Sequence, residues 1–300
     1  MRPVHVMLAF LVAAVWGFNF IAAKWAVQDF PPLFANGLRF LVVLAVLFPF
    51  LRVVPGKMAH LLKVAAAMGV VHFGLLFMAM SLAGGVGSIS IASQLNVPFS
   101  TILAIVILKE TVGWKRVFGI SISFGGVLFL GFDPVIFAYW DAVALIVCAA
   151  FVYAVSAVMM RQLKDVPATT IQAWVALAGL MGSFAISSIV ESNQIASLST
   201  AGTRAWASVA YAGLISTVIG HGGANYLFRK YEISMVTPYF LVMPFFSVVG
   251  GVLILDEVVG WEMVIGGGMT IFGVLIVTLR NNQRALQNKI GQKNTGYESG

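Results

Sequence analysis

Ten apolar stretches, each about as long as a membrane span, follow one another along this chain of 300 residues. A helix needs about 20 apolar residues to cross the hydrocarbon core of a bilayer, so a chain of this length has room for roughly ten crossings. Apolar residues make up 60% of the chain and charged residues 10%, which leaves too little polar surface for a water-soluble globule. We therefore predict an all-α integral membrane protein whose helices cover residues 6–28, 32–51, 58–80, 86–108, 113–131, 138–160, 168–190, 204–228, 234–255 and 260–280.

The positions of Lys and Arg predict how the chain is oriented in the membrane. Cytoplasmic loops of membrane proteins carry an excess of these residues. With a cytoplasmic N-terminus, fifteen of the eighteen basic residues fall on the cytoplasmic side, Arg204 falls outside, and Lys24 and Arg39 lie within spans. Both termini are therefore predicted to be cytoplasmic. Residues 281–300 are rich in Asn, Gln, Gly and Lys, and we predict that they form a disordered cytoplasmic tail.

An internal repeat runs through the sequence with a constant offset of 147 residues. Agreement at seven positions in one register is unlikely to arise by chance, so the chain is predicted to be a duplication. The matching residues are Glu110, Gly113, Trp114, Gly119 and the triplet 126–128 in the first copy, and Glu257, Gly260, Trp261, Gly266 and the triplet 273–275 in the second copy.

The repeat divides the spans into two units, residues 1–133 and 134–280, with five predicted spans each. Because five is an odd number, the two units insert in opposite orientations. Such inverted repeats are typical of secondary transporters, which open alternately to the two sides of the membrane around a site near its midplane. The predicted class is therefore a secondary transporter.

Over residues 6–280 the chain resembles the EamA family of the drug/metabolite transporter superfamily. The resemblance implies ten helices in two inverted five-helix repeats in the cell inner membrane, and export of metabolites such as amino acids, with the aromatic amino acid exporters as the most similar subfamily. Tyr153 departs from the pattern, because the family often has tryptophan at this position. The residues that carry the resemblance are 16–20 (Trp-Gly-Phe-Asn-Phe), Arg39, Phe40, Glu110, Glu257, Pro98 and Pro244.

All eleven acidic residues lie at the ends of predicted spans, in loops or in the tail, and none lies in the interior of a span. Small multidrug transporters of the same superfamily use a buried carboxylate to bind a cation and a proton in turn, and this chain has no such group. We therefore expect transport without proton coupling through a carboxylate, and no counter-ion for a cationic drug. A multidrug exporter of lipophilic compounds remains the alternative to an amino-acid exporter.

Polar and aromatic side chains within the predicted spans are candidates for contacts with a substrate. His72 and His221 are suited to carry a proton near neutral pH, and a neutral histidine bonded to a neighbouring helix is an equal alternative. Asn, Gln and Ser in spans also serve as plain interhelical hydrogen bonds. The predicted substrate-binding residues are Trp16, Asn19, His72, Phe73, Phe77, Gln94, Asn96, Tyr153, Trp174, His221, Asn225 and Tyr239.

Three further residues are predicted to form a gate or hinges. Arg39 lies too deep in its span to reach water, so it needs a carbonyl or carboxylate partner, either in the protein or on a substrate. Pro98 and Pro244 leave backbone carbonyls unpaired and are candidate hinges. Lys24 lies near the outer interface, where its side chain can reach water, and a structural role is expected for it.

Several functional classes are excluded by what the sequence lacks. It has no P-loop, no paired acid and base at one depth, no HExxH spacing and a single cysteine, Cys148, so we predict no enzyme, no catalytic residue, no metal and no cofactor. The basic residues are spread singly, which disfavours nucleic acid as a partner. The prediction is a monomeric exporter whose partners are a small-molecule substrate, an amino acid or similar metabolite, and the lipid bilayer.

Overall fold

The structure is a computed structural model, and it describes residues 1–108, 113–231 and 233–297, without the side chains of 108, 161, 218, 225, 228, 229, 233, 234, 237 and 281–297. The described backbone consists of helices and their connections, with no strand in these ranges. Eight of the helices found there are long and apolar enough to cross a membrane. The predicted all-α membrane class is thus confirmed.

We number the main helical segments in chain order. Shorter helices lie at Phe48–Phe50, Pro134–Phe137, Arg161–Leu163 and Gln194–Thr200. The main segments are α1 (Pro3–Asp29), α2 (Pro32–Leu47), α3 (Met58–Leu82), α4 (Val86–Ser93 and Asn96–Leu108), α5 (Trp114–Leu130), α6 (Trp140–Met160), α7 (Ala168–Val190), α8 (203–230), α9 (Ile233–Phe240 and Met243–Leu255) and α10 (Trp261–Tyr297).

Proline and glycine set the helix ends. Pro3 and Pro32 occupy the first helical positions of α1 and α2, where the missing N–H would have had no partner. The residues Gly84 and Gly85 separate α3 from α4. The connections between α1 and α2 and between α3 and α4 are therefore short.

Two segments widen into π-helical turns. In α3 the π turn covers Ala66–His72, and in α8 it covers Tyr211–His221. A π turn inserts an extra residue per turn, displaces the side chains around it and occurs most often at functional sites. Each of the two π turns ends on a histidine, His72 or His221. The hydrophobic pattern of the sequence does not reveal these π turns.

Two other segments are interrupted near a proline. The helix of α4 breaks between Ser93 and Asn96, shortly before Pro98, and that of α9 breaks between Phe240 and Met243, directly before Pro244. Both prolines are buried. The breaks lie at the predicted hinge positions, and movement there stays a prediction.

Segments α5 and α10 pack with their backbones in close approach. A Cβ atom added to Gly119 would lie 2.9 Å from the carbonyl oxygen of Gly273, and one added to Gly126 would lie 2.5 Å from that of Gly266. Small residues at such crossings let membrane helices meet along their backbones. The described part of α10 continues to Tyr297, beyond residue 280 where the sequence predicts the last span to end.

Candidate functional site

Arg39 is buried, and no acidic side chain among the described residues pairs with it. Its side chain is 3% exposed, and its Nε donates to the carbonyl of Ala212 at 3.4 Å, in the π turn of α8. Its Nη1 is buried and has no hydrogen-bond partner in the part of the chain that the structure describes. The guanidinium lies 4.0 Å from the ring centroid of Phe73 and 5.0 Å from that of Phe40. Aromatic faces therefore stabilise this charge, while part of its hydrogen-bonding capacity is unused.

His72 lies beside this arginine, at the end of the π turn in α3. Its Nδ1 donates to the carbonyl of Ala149 on α6 at 2.8 Å, which fixes the proton on that nitrogen and leaves Nε2 as an acceptor in the neutral ring. The imidazole centroid lies 4.7 Å from Phe73 and 5.3 Å from Tyr153. His72 is thus bonded to a neighbouring helix, which is the alternative to a proton carrier that the sequence left open.

His221 occupies the matching place at the end of the π turn in α8. Its ring centroid lies 5.4 Å from that of Trp16, and the Trp16 ring lies 5.1 Å from Phe240. Arg39 and His72 both lie against the ring of Phe73. The structure thus gathers side chains of α2, α3 and α6 around Arg39 and side chains of α1, α8 and α9 around His221, and the bond from Arg39 to Ala212 connects α2 to the π turn that ends on His221.

Three of the predicted amides lie on α1 and at the break in α4. Gln94 is 5% exposed at that break, and Asn96 begins the second part of α4. On α1, the Oδ1 atom of Asn19 is buried and has no hydrogen-bond partner among the described residues. The substrate contacts of these three amides stay predictions.

Three predicted residues make their recorded contacts elsewhere, and a fourth has no described side chain. Phe77 is 1% exposed and packs in the hydrophobic core. The Nε1 of Trp174 donates to the carbonyl of Arg52 at 2.9 Å. Arg52 follows the C-terminal end of α2, whereas α1 connects to its N-terminal end. Tyr239 packs edge-on against Phe10 near the start of α1, and the Asn225 side chain lies outside the described residues.

Asn36 was missed by the sequence reasoning. It is fully buried one turn from Arg39, and its Nδ2 donates to Ser183 Oγ at 2.8 Å and to the carbonyl of Gly69 at 3.3 Å. The signal in the sequence was its position: Asn36 is an amide within a predicted span, as Asn19 is.

A cavity of about 360 Å³ lies between α1, α8 and the end of α9. Its size falls in the range of small-molecule sites. Its lining is apolar apart from Arg204 and the hydroxyl groups of Ser208 and Tyr211, and the Tyr211 hydroxyl donates to the carbonyl of Val15. The helices that form it, α1 and α8, also carry Trp16 and His221.

Long apolar helices around a buried polar cluster define a multi-pass membrane transporter. The chain belongs to the EamA-like transporter family, which it matches over residues 4–132 and again over 140–279. It is therefore a transporter rather than an enzyme, located in the inner membrane, and the predicted resemblance is confirmed.

Two relatives and one solved structure indicate how far the similarity extends. A probable amino-acid metabolite efflux pump of Escherichia coli strain K12 is 28% identical over 280 residues, covering 90% of this chain and 93% of the relative. The uncharacterized inner membrane transporter YedA of the same strain is 25% identical over 287 residues, covering 90% and 89%. A crystal structure with 17% sequence identity superposes with a TM-score of 0.61, covers 95% of this chain and 99% of that chain, and is similar in fold.

Proposed function

We propose that the protein is a secondary transporter that exports amino acids or related small metabolites across the inner membrane, with Arg39 as the site for the substrate carboxylate. The observation that carries the proposal is the buried Nη1 of Arg39, which has no hydrogen-bond partner. A buried guanidinium is stable in a membrane protein only with an acceptor or anion nearby, and a carboxylate on the substrate would supply one.

The groups around Arg39 fit the remaining parts of such a substrate. The neutral His72 has an acceptor nitrogen for an ammonium group, since its other nitrogen is bonded to Ala149. Phe73, Tyr153 and Trp16 offer aromatic faces on which an apolar or aromatic side chain packs. The efflux-pump name of the Escherichia coli relative supports the same substrate class.

Alternating access between two inverted halves is the proposed mechanism, with all ten main segments crossing the membrane. Two family matches along one chain support the duplication. Two contacts between residues exactly one repeat offset apart support a twofold arrangement: Asn36 donates to Ser183, and Thr270 Oγ1 donates to the carbonyl of Ser123. In such an arrangement the same helix of each half meets its counterpart about the pseudo-twofold axis.

The positions of the basic residues support cytoplasmic termini for both ends of the chain. A single chain encloses the cluster around Arg39, which supports function as a monomer. The acidic residues of the chain lie at the ends of the predicted spans or outside them, which supports transport without proton coupling through an intramembrane carboxylate.

Uptake into liposomes that hold the purified protein tests the proposal, with labelled phenylalanine, threonine and a lipophilic cation as probes and with or without a pH gradient. We expect an amino acid to move down its own gradient regardless of pH, and Arg39→Gln to abolish this movement. Arg52→Gln is the matched control, because the Arg52 side chain is exposed after the end of α2 and does not line the cavity. Movement of the cation alone would favour the multidrug alternative.

A further inference from the structure

The turn between α3 and α4 is held by charged side chains from distant parts of the chain. The Lys24 ammonium group on α1 donates to the carbonyl of Met80 at 3.0 Å and to that of Ala83. The last carbonyls of a helix have no partner within it and attract a positive charge. Lys24 therefore caps the C-terminal end of α3, whereas the sequence alone indicated only that its side chain could reach the membrane surface.

Glu257 supplies the opposite charge to the beginning of α4. It lies in the connection between α9 and α10, and its two carboxylate oxygens accept hydrogen bonds from the backbone N–H groups of Val86, at 2.6 Å, and Gly87, at 3.3 Å. The first N–H groups of a helix favour an anion. Lys24 and Glu257 also attract each other across the turn. The carboxylate thus joins the end of α9 to the beginning of α4.

Two glycines make room for this carboxylate. A Cβ atom on Gly85 would lie 2.8 Å from Glu257 Cδ, and one on Gly251 would lie 2.6 Å from Glu257 Oε2. Neither distance is compatible with van der Waals contact, so a side chain at either position would displace the carboxylate. The backbone on both sides is therefore shaped to receive Glu257.

We infer that Glu257 is a positioning residue that forms the outer gate of the transporter and holds it closed in this structure, by docking on the turn that Lys24 caps. The inference rests on the proposed function, because it places α1, α3 and α4 in one half and Glu257 in the other, with the turn on the outer side. Opening to the outside separates the outer ends of the halves, which removes the carboxylate from the amides of α4. Residues below the turn, such as the fully buried Ser90, then become accessible.

Labelling of a cysteine below the gate tests this inference without knowledge of the substrate. The Cys148→Ala, Ser90→Cys protein is exposed in spheroplasts to a membrane-impermeant maleimide. Glu257→Ala removes the acceptor of the backbone N–H groups of Val86 and Gly87. Because these bonds exist only in the closed state, their loss destabilises that state alone, and we expect the maleimide to label the introduced cysteine roughly tenfold faster. Asp256→Asn is the matched control, since Asp256 is exposed and has a φ of 55°, which Asn also adopts, and its labelling rate should not change.

Equal labelling rates with and without Glu257 would overturn the gate. If Glu257→Ala fails to insert, Gly85→Ala replaces it, because the added Cβ displaces the same carboxylate, and the same acceleration is expected. Acceleration seen only in inside-out vesicles would support the gate and overturn the proposed orientation. Acceleration in a protein that moves no amino acid in liposomes would support the gate and overturn the proposed substrate class.

Discussion

Asn36 donates a hydrogen bond of 2.8 Å to Ser183, a residue 147 positions later in the chain, and both side chains are buried. This bond joins α2 to α7 near the level of Arg39. Since 147 is also the offset of the sequence repeat, the two residues occupy equivalent positions in the proposed halves. The contact thus joins α2, the helix that carries Arg39, to its counterpart α7 in the second half.

The Asn36–Ser183 bond is expected to make a measurable but small contribution to stability. Interhelical hydrogen bonds in membrane proteins contribute about 0.6 kcal/mol on average, because the unfolded chain in the membrane finds other partners. A double-mutant cycle with Asn36→Ala and Ser183→Ala should give a coupling energy of about that size in unfolding experiments. Ser188→Ala is the control, since Ser188 is exposed and bonds within its own helix, and it should be additive with Asn36→Ala.

Gly126→Ala should destabilise the protein, whereas Gly125→Ala should not. A Cβ on Gly126 would lie 2.5 Å from the carbonyl oxygen of Gly266, and backbone atoms of α10 cannot move aside without separating the helices. Such overpacking costs about 1–3 kcal/mol. A Cβ on Gly125 has its nearest neighbour, Met269 Cε, at 3.7 Å. Thermal unfolding of the two variants in one detergent makes the comparison, and equal midpoints would contradict the close packing of α5 on α10.

Phe73→Leu and Phe77→Leu should have different effects although the residues are one helical turn apart. Phe73 faces the Arg39 guanidinium and positions it for the substrate carboxylate, so losing a desolvated cation–π contact of about 2 kcal/mol should raise the KM for the exported amino acid by up to about 30-fold. Phe77 is packed in the core, so its replacement should lower the unfolding temperature and leave the KM of the folded fraction unchanged. A KM increase for Phe77→Leu alone would move the site away from Arg39.

The contribution of Glu257 to stability should depend on pH. Burial raises the pKa of the Glu257 carboxyl above its usual 4.5, although the N–H groups of Val86 and Gly87 and the charge of Lys24 partly offset this. Between the unfolded and the folded pKa the folded protein binds more protons, so the stability contribution is present below pH 4.5 and is lost as pH rises through the folded pKa.

This pH-dependent contribution of Glu257 to stability can be measured. The unfolding temperature of the wild type is compared with that of Glu257→Gln from pH 4 upwards. The wild type should lose stability relative to the variant as pH rises, because glutamine does not ionise and all other titrating groups are shared. If the wild type instead gains stability relative to Glu257→Gln as pH rises, the hydrogen bonds from Val86 and Gly87 and the charge of Lys24 lower the pKa of Glu257 by more than burial raises it.

The membrane class and the extent of the helical segments were predictable from the sequence. A span is a local property, because lipid requires about 20 consecutive apolar residues whatever the neighbouring helices are. For the same reason the predicted segments agree with the described helices to within a few residues along most of the chain. The end of α10 differs, since the hydrophobic pattern stops near residue 280 while the described helix continues to Tyr297.

Only the tertiary structure decided which polar groups meet. Hydropathy marked Arg39, His72 and His221 as unusual, but the π turns that orient them and the ring of Phe73 beneath the guanidinium depend on contacts between distant helices. Glu257 stands outside every apolar stretch, so its sequence position suggested a solvated loop. It is the fold that brings this carboxylate to the amides of α4, because hydrogen-bond partners and burial are set by the packing of segments that are far apart in the chain.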